Sequence, residues 1–168
     1  MYLIGLVLAY FLNMTGVPQE TTMAWSPRAE IGSLAVNMLL YHQGVLAFAQ
    51  SSGQASFSGT ATDAEAAAGM VAPYAASFVK MGPWISIVSG SSGPGRAVVT
   101  YVGGALPGGA GSGWLGSAIY EAGGADMAFG IARAGTVMPI RAAAGTTPIV
   151  LPIVVPDGVA VLLSYTGA

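Results

Sequence analysis

The chain has 168 residues, enough for one domain of ordinary size and an appendage. Hydrophobic residues make up 54% and charged residues only 7%, with a mean hydropathy of +0.67, against roughly 25% charged residues in an average soluble domain; so bare a surface calls for a membrane or partner subunits to cover it. Net charge is −2, the five basic residues stand singly at Arg28, Lys80, Arg96, Arg133 and Arg141, and cysteine is absent, which removes the electrostatic basis for nucleic-acid binding and excludes disulfides, thiol catalysis and Cys-based zinc sites.

Met1 to Met14 reads MYLIGLVLAYFLNM, in which only Asn13 is polar, and no charge precedes Glu20. Thr15, Gly16 and Val17 extend the run to about 17 residues, the lower limit for crossing a bilayer. A signal peptide is disfavoured, because the run has no basic leading region and no small-x-small cleavage site. Two readings stay open: a membrane anchor, or a segment buried in a soluble fold or an oligomer core. The lack of charge favours an anchor over residues 1–17, built on Tyr2, Leu3, Ile4, Leu6, Val7, Leu8, Tyr10, Phe11 and Leu12. No flanking Lys or Arg sets its orientation. Residues 18–25 read as a linker. Trp25 lies in that break, where an amphipathic ring suits the membrane interface.

Residues 26–168 read as a single compact domain. Ser26-Pro27 is expected to open a helix, since Ser caps free amides and Pro loses nothing at the first helical position. Ile31, Leu34, Met38, Tyr41, Val45 and Phe48 recur at spacings of three and four, one apolar stripe that predicts a helix to Gln50. Leu39, Leu40 and Leu46 widen the stripe, so the helix is covered on more than one side. Ser51-Ser52-Gly53 ends it. A polar loop leads to a short Ala-rich helix from Asp63 that Pro73 closes.

Trp84–Val88 and Arg96–Val102 are β-branched and aromatic runs around SGSSGPG, which predicts a hairpin. Leu106–Ser117 reads as a Gly-rich loop entering a short helix near Trp114–Glu121. Met127–Ile131 and Thr136–Ile140 flank Arg133-Ala134-Gly135 and predict a second hairpin. Ile149–Val155 and Val159–Leu163 predict a third, joined by Pro156-Asp157-Gly158, in which Asp bonds its own turn and Gly takes a left-handed position. Pro148 and Pro152 point the first of those strands to a sheet edge.

Chemical motifs are sparse. His42 is the only histidine and has no marked carboxylate or nucleophile partner, so it reads as a packed residue. One His and seven scattered carboxylates do not form a metal set, and no metal is expected. Asp63 and Glu65 lie two apart, which on a helix turns them to different faces; helix-start capping explains them better than paired acid–base chemistry. Gly111-Ser-Gly-Trp-Leu-Gly116 matches G-x-G-x-x-G in form. Trp114 crowds the phosphate position, however, and Thr136-Val137 stands where an acidic residue is required. No cofactor and no catalytic residue are therefore assigned.

Four stretches carry a resemblance. They are Asn37-Met-Leu-Leu-Tyr41-His-Gln-Gly-Val45, Phe57-Ser-Gly-Thr60, Phe129-Gly-Ile131 with Gly135, and Leu151-Pro-Ile-Val-Val-Pro156-Asp-Gly158. In this order the chain resembles the PilM family of plasmid-type (type IVb, thin) pilus gene clusters, distinct from the far longer actin-like protein of the same name. The resemblance implies an inner-membrane component of a pilus assembly apparatus near the filament base. A standard pilin is disfavoured, because the first acidic residue, Glu20, lies beyond Pro18.

The expected fold is α+β: an N-terminal hydrophobic helix, then a long amphipathic helix packed on a small, mainly antiparallel sheet. The expected function is non-enzymatic, a membrane-anchored pilus component whose domain faces the periplasm and docks other pilus proteins, itself included as an oligomer. The alternative is a filament subunit whose N-terminal helix is buried between copies. An enzyme would need Tyr41, His42, Asp63, Glu65 and the arginines to converge. Trp25, Tyr41 and Trp114 are the candidate interaction residues.

Overall fold

The computed structural model describes residues 19–71, 74–90, 95–109, 111–123, 128–139 and 146–166, with side chains from residue 30 onward except at Ser52. The anchor residues Tyr2 to Leu12 lie outside the described residues. The chain divides into two units, Met1–Glu30 and Ile31–Ala168, and the second holds the sheet and its core.

The first described element, α1, runs Gln19–Gln50. This corrects the expected start at Ser26-Pro27: the stretch read as a linker is helical from Gln19 on, and Pro27 sits within the helix. Proline removes one backbone donor there. Glu20, Met23, Ala24, Arg28 and Ala29 around it are good helix formers, which is why the polar break does not stop the helix. By composition Glu30–Gln50 is apolar enough to cross a membrane, yet half of it is buried inside the protein. Leu34, Ala35, Met38, Tyr41, Val45 and Ala49 supply core, so in this domain it is the central core helix.

The remaining elements are β1 (Gly59–Thr60), α2 (Asp63–Ala68), α3 (Tyr74–Ser77), β2 (Trp84–Ser89), β3 (Ala97–Val102), α4 (Ser112–Gly123), β4 (Ala128–Arg133), β5 (Thr136–Pro139), β6 (Ile149–Val150) and β7 (Ala160–Tyr165). The fold is α+β, with one seven-stranded sheet in the order β1-β2-β3-β7-β4-β5-β6 and every pairing antiparallel. Two of the expected hairpins form as read, β2–β3 and β4–β5.

The third hairpin does not form. β6 pairs with β5 at the sheet edge, as its prolines foretell, while β7 inserts between β3 and β4. Residues 151–155 leave the sheet because Pro152 has no amide to donate to a ladder. They cross the second face instead, burying Leu151 and Val155. The Asp157-Gly158 turn survives, with Gly158 at φ 83°, and now leads into the middle of the sheet.

Alternation along the strands divides the core in two. Trp84, Val88, Val98, Val102, Phe129, Ala160 and Leu162 face α1 and α4. Ala97, Val99, Ala132, Val137, Val161 and Leu163 face the 149–159 crossing. The central strands β3 and β7 are therefore covered on both faces, which accounts for their near-continuous apolar sequence. The close approach of α1 to the end of α2 requires glycine on both sides, since a Cβ on Gly69 collides with the Gly44 carbonyl.

Candidate functional site

The segment between α2 and β2 is fixed to α1 by polar side chains. Asn37, a buried residue, accepts hydrogen bonds at Oδ1 from the Met81 amide at 2.9 Å and from Trp84 Nε1 at 2.8 Å. Its Nδ2 donates to the Val79 carbonyl at 2.8 Å. One turn further along the helix, the Tyr41 hydroxyl donates to Asp63 Oδ1 at 3.1 Å, and Lys80 Nζ reaches the same oxygen at 2.6 Å. Lys80 also lies over the Tyr41 ring, 5.3 Å from its centroid, and Phe78 stacks on that ring at 6.2 Å. Burial, reinforced by the adjacent Asp63 carboxylate, raises the Tyr41 pKa, so the phenol stays neutral.

This framework turns backbone inward and apolar side chains outward. Val71 is 78% exposed, Val79 73%, Tyr74 59% and Met81 47%, with Val36 exposed on α1 next to Asn37. Because Asn37 binds main-chain atoms of Val79 and Met81, their side chains are presented on a rigid backbone. A surface of this kind costs free energy in water. The sequence assigned nothing to residues 74–83. The available signal was a short apolar stretch between Pro73 and Pro83, too short for periodicity to reveal the single turn of α3.

The candidate residues fare differently. Tyr41 is 1% exposed and bonded as above, so it is a core residue; this corrects its place among the interaction residues. Its apolar ring completes the α1 stripe, and its hydroxyl reaches Asp63. Trp114 is 63% exposed on α4 and is available to a partner. Trp25 falls within α1, and its side chain lies outside the described ones. Glu65 closes a capping box with Thr62, its carboxylate taking the Thr62 amide at 2.6 Å. The structure thus unites Tyr41, Asp63 and Lys80 and leaves Glu65 at its cap.

His42 is fully buried, with Nδ1 2.8 Å from Thr100 Oγ1 and Nε2 2.9 Å from Ser164 Oγ. Thr100 in turn bonds Ser86. Burial lowers the His42 pKa to about 4. Arg96, also buried, directs its guanidinium at the Ala49, Gln54 and Phe57 carbonyls and so closes the C-terminus of α1. Among the described residues no three His, Asp or Glu side chains gather as a metal set. A shallow depression of about 430 Å³ lies over Ile131, Arg133, Met138 and Asp157.

With this geometry in hand, comparison with known families is decisive: the PilM family model matches residues 4–163, nearly the whole chain. The chain belongs to the PilM family. Membership carries a pilus-related role. Comparison with curated proteins and with solved structures found no match. The family match spans α1, the exposed Val79 and Met81, and the sheet up to Leu163 in β7, so these features fall within the family's own domain.

Proposed function

We propose that this PilM-family chain is a non-enzymatic, membrane-anchored component of a type IVb pilus assembly apparatus. Residues 1–17 anchor it in the inner membrane, and the Ile31–Ala168 domain stands in the periplasm and docks partner subunits near the filament base. The observation that carries this reading is the pair Val79 and Met81, exposed on a backbone that Asn37 bonds at both residues, with Val71 and Tyr74 exposed nearby in sequence. Burying such side chains contributes about 25 cal/mol per Å² of apolar area, and a rigid backbone reduces the entropy lost on binding. Docking through side chains also suits the sheet, whose edges are the two-residue strands β1 and β6. Strands so short, with Pro148 and Pro152 beside β6, resist strand addition by a neighbour.

The test is fractionation of cells that express the native protein, comparing detergent-extracted inner membrane, sheared surface filaments and the soluble fraction by immunoblot. Recovery in the membrane alone is expected. Recovery with sheared filaments makes the chain a structural subunit, and recovery as free soluble protein removes the anchor.

A further inference from the structure

His42 lies where α1 crosses the middle of the sheet. Its Nδ1 meets Thr100 of β3 and its Nε2 meets Ser164 of β7, while Thr100 passes the chain on to Ser86 of β2. In the sheet order these three strands are adjacent. One side chain therefore ties the helix to three neighbouring strands. A neutral imidazole carries one donor and one acceptor, and the hydroxyls of Thr100 and Ser164 satisfy either role. The ring has no exposed surface.

Among the described residues, the side chains that bond the ring carry no charge. Ser86, Thr100 and Ser164, the groups that face the ring from β2, β3 and β7, are not acids. Arg96, just ahead of β3, turns to the carbonyls at the end of α1. Tyr41, Asp63 and Lys80 bind one another. Tyr101 and Tyr165 are the strand neighbours of Thr100 and Ser164, and alternation points them to the other face. Desolvation by burial is what lowers the pKa of the imidazole. A proton added there creates a buried cation with hydroxyls alone for partners, which costs far more than the hydrogen bonds return.

We propose that His42 is an acid-sensitive latch: as the neutral imidazole it clamps α1 onto β2, β3 and β7, and its protonation releases the helix from the sheet. In the folded chain the ring holds its pKa at about 4, below the ordinary 6.5, so the released state takes the proton first. The latch acts fully above pH 6.5 and weakens as pH falls from there towards 4.

The experiment uses the full chain in detergent micelles, unfolded with urea at pH 7 and pH 5 and followed by near-ultraviolet circular dichroism. H42Q keeps an amide donor and acceptor and does not titrate, while every carboxylate is common to both proteins. From pH 7 to pH 5 the wild-type unfolding constant is expected to rise roughly twentyfold more than that of H42Q. Equal responses overturn the proposal. The wild type alone provides a second reading, because its one histidine gives an unambiguous signal in a histidine-labelled NMR titration. A neutral imidazole shift retained in the folded chain down to pH 5 supports the latch, and titration near pH 6.5 overturns it even if H42Q fails to fold.

Discussion

Asn37 on α1 and Trp84 at the start of β2 are joined by a 2.8 Å hydrogen bond from the indole Nε1 to the amide oxygen, across 47 positions of sequence. Trp84 is among the largest fully buried side chains, so its N–H has to find its partner inside the protein. Asn37→Ala leaves that donor unpaired and also frees the Val79 carbonyl and the Met81 amide. The expected loss is about 3 kcal/mol, read from urea unfolding, with the 78–84 segment gaining protease sensitivity.

The same bonds make the exposed surface testable apart from the fold. Val79→Asp and Met81→Asp change side chains that point to solvent, so stability is expected to move by less than about 0.5 kcal/mol. Recovery of pilus partners after cross-linking and affinity purification from the native host is expected to collapse. Unchanged recovery with either variant places docking on another surface.

Arg96 reads as an ordinary basic residue in the sequence and acts as the terminal clasp of α1. Its two guanidinium nitrogens reach the Ala49, Gln54 and Phe57 carbonyls. Arg96→Lys keeps the charge and loses the fork, and a single ammonium does not span carbonyls that diverge in this way. Thermal unfolding is expected to show Arg96→Lys destabilised by about 2 kcal/mol and Arg96→Met by more.

The β4–β5 turn places Ala134 at φ 49° and Gly135 at φ 75°. Both values suit a two-residue hairpin loop, but the first is costly for alanine. Asp157 offsets part of that cost, its Oδ1 accepting the Ala134 amide at 2.8 Å. Ala134→Asn is expected to stabilise the chain by about 0.5–1 kcal/mol, since Asn adopts the left-handed region more readily. Asp157→Ala is expected to cost about 1 kcal/mol. A scanning calorimetry pair decides both, and a fall in Tm for Ala134→Asn contradicts the strain.

Deleting residues 1–17 is expected to leave the Ile31–Ala168 unit folded, because among the described residues its core runs from Leu34 onward. Circular dichroism and fractionation of the truncated chain check this together. A folded chain in the soluble fraction supports the anchor. Failure to fold makes the segment part of the core.

The features legible in the sequence were those encoded within a dozen residues. The α1 stripe from Ile31 to Phe48, the helix start at Asp63 and Glu65, the two short hairpins and the edge position of β6 each follow from local periodicity or turn chemistry. The start of α1 was misread because Pro27 fits both a helix opening and a tolerated interior break. Tyr41 was misread because an aromatic with a polar tip looks alike in a core and on a surface, until Asp63 is seen to meet its hydroxyl.

By itself the sequence determined the composition of the layers: one wide apolar helix, strands with β-branched runs, and a family signature spread over residues 4–163. Tertiary structure alone decided which strands meet. β7 slides between β3 and β4 because antiparallel pairing there buries both of its faces, and no local signal distinguishes that position from pairing with the run before it. It also decided what the polar residues do. Asn37, His42 and Arg96 are unremarkable in their own neighbourhoods, and each finds a role through partners more than 35 positions away. Burial makes any unpaired polar group expensive, so the folded chain assigns these side chains by the partners it brings within reach.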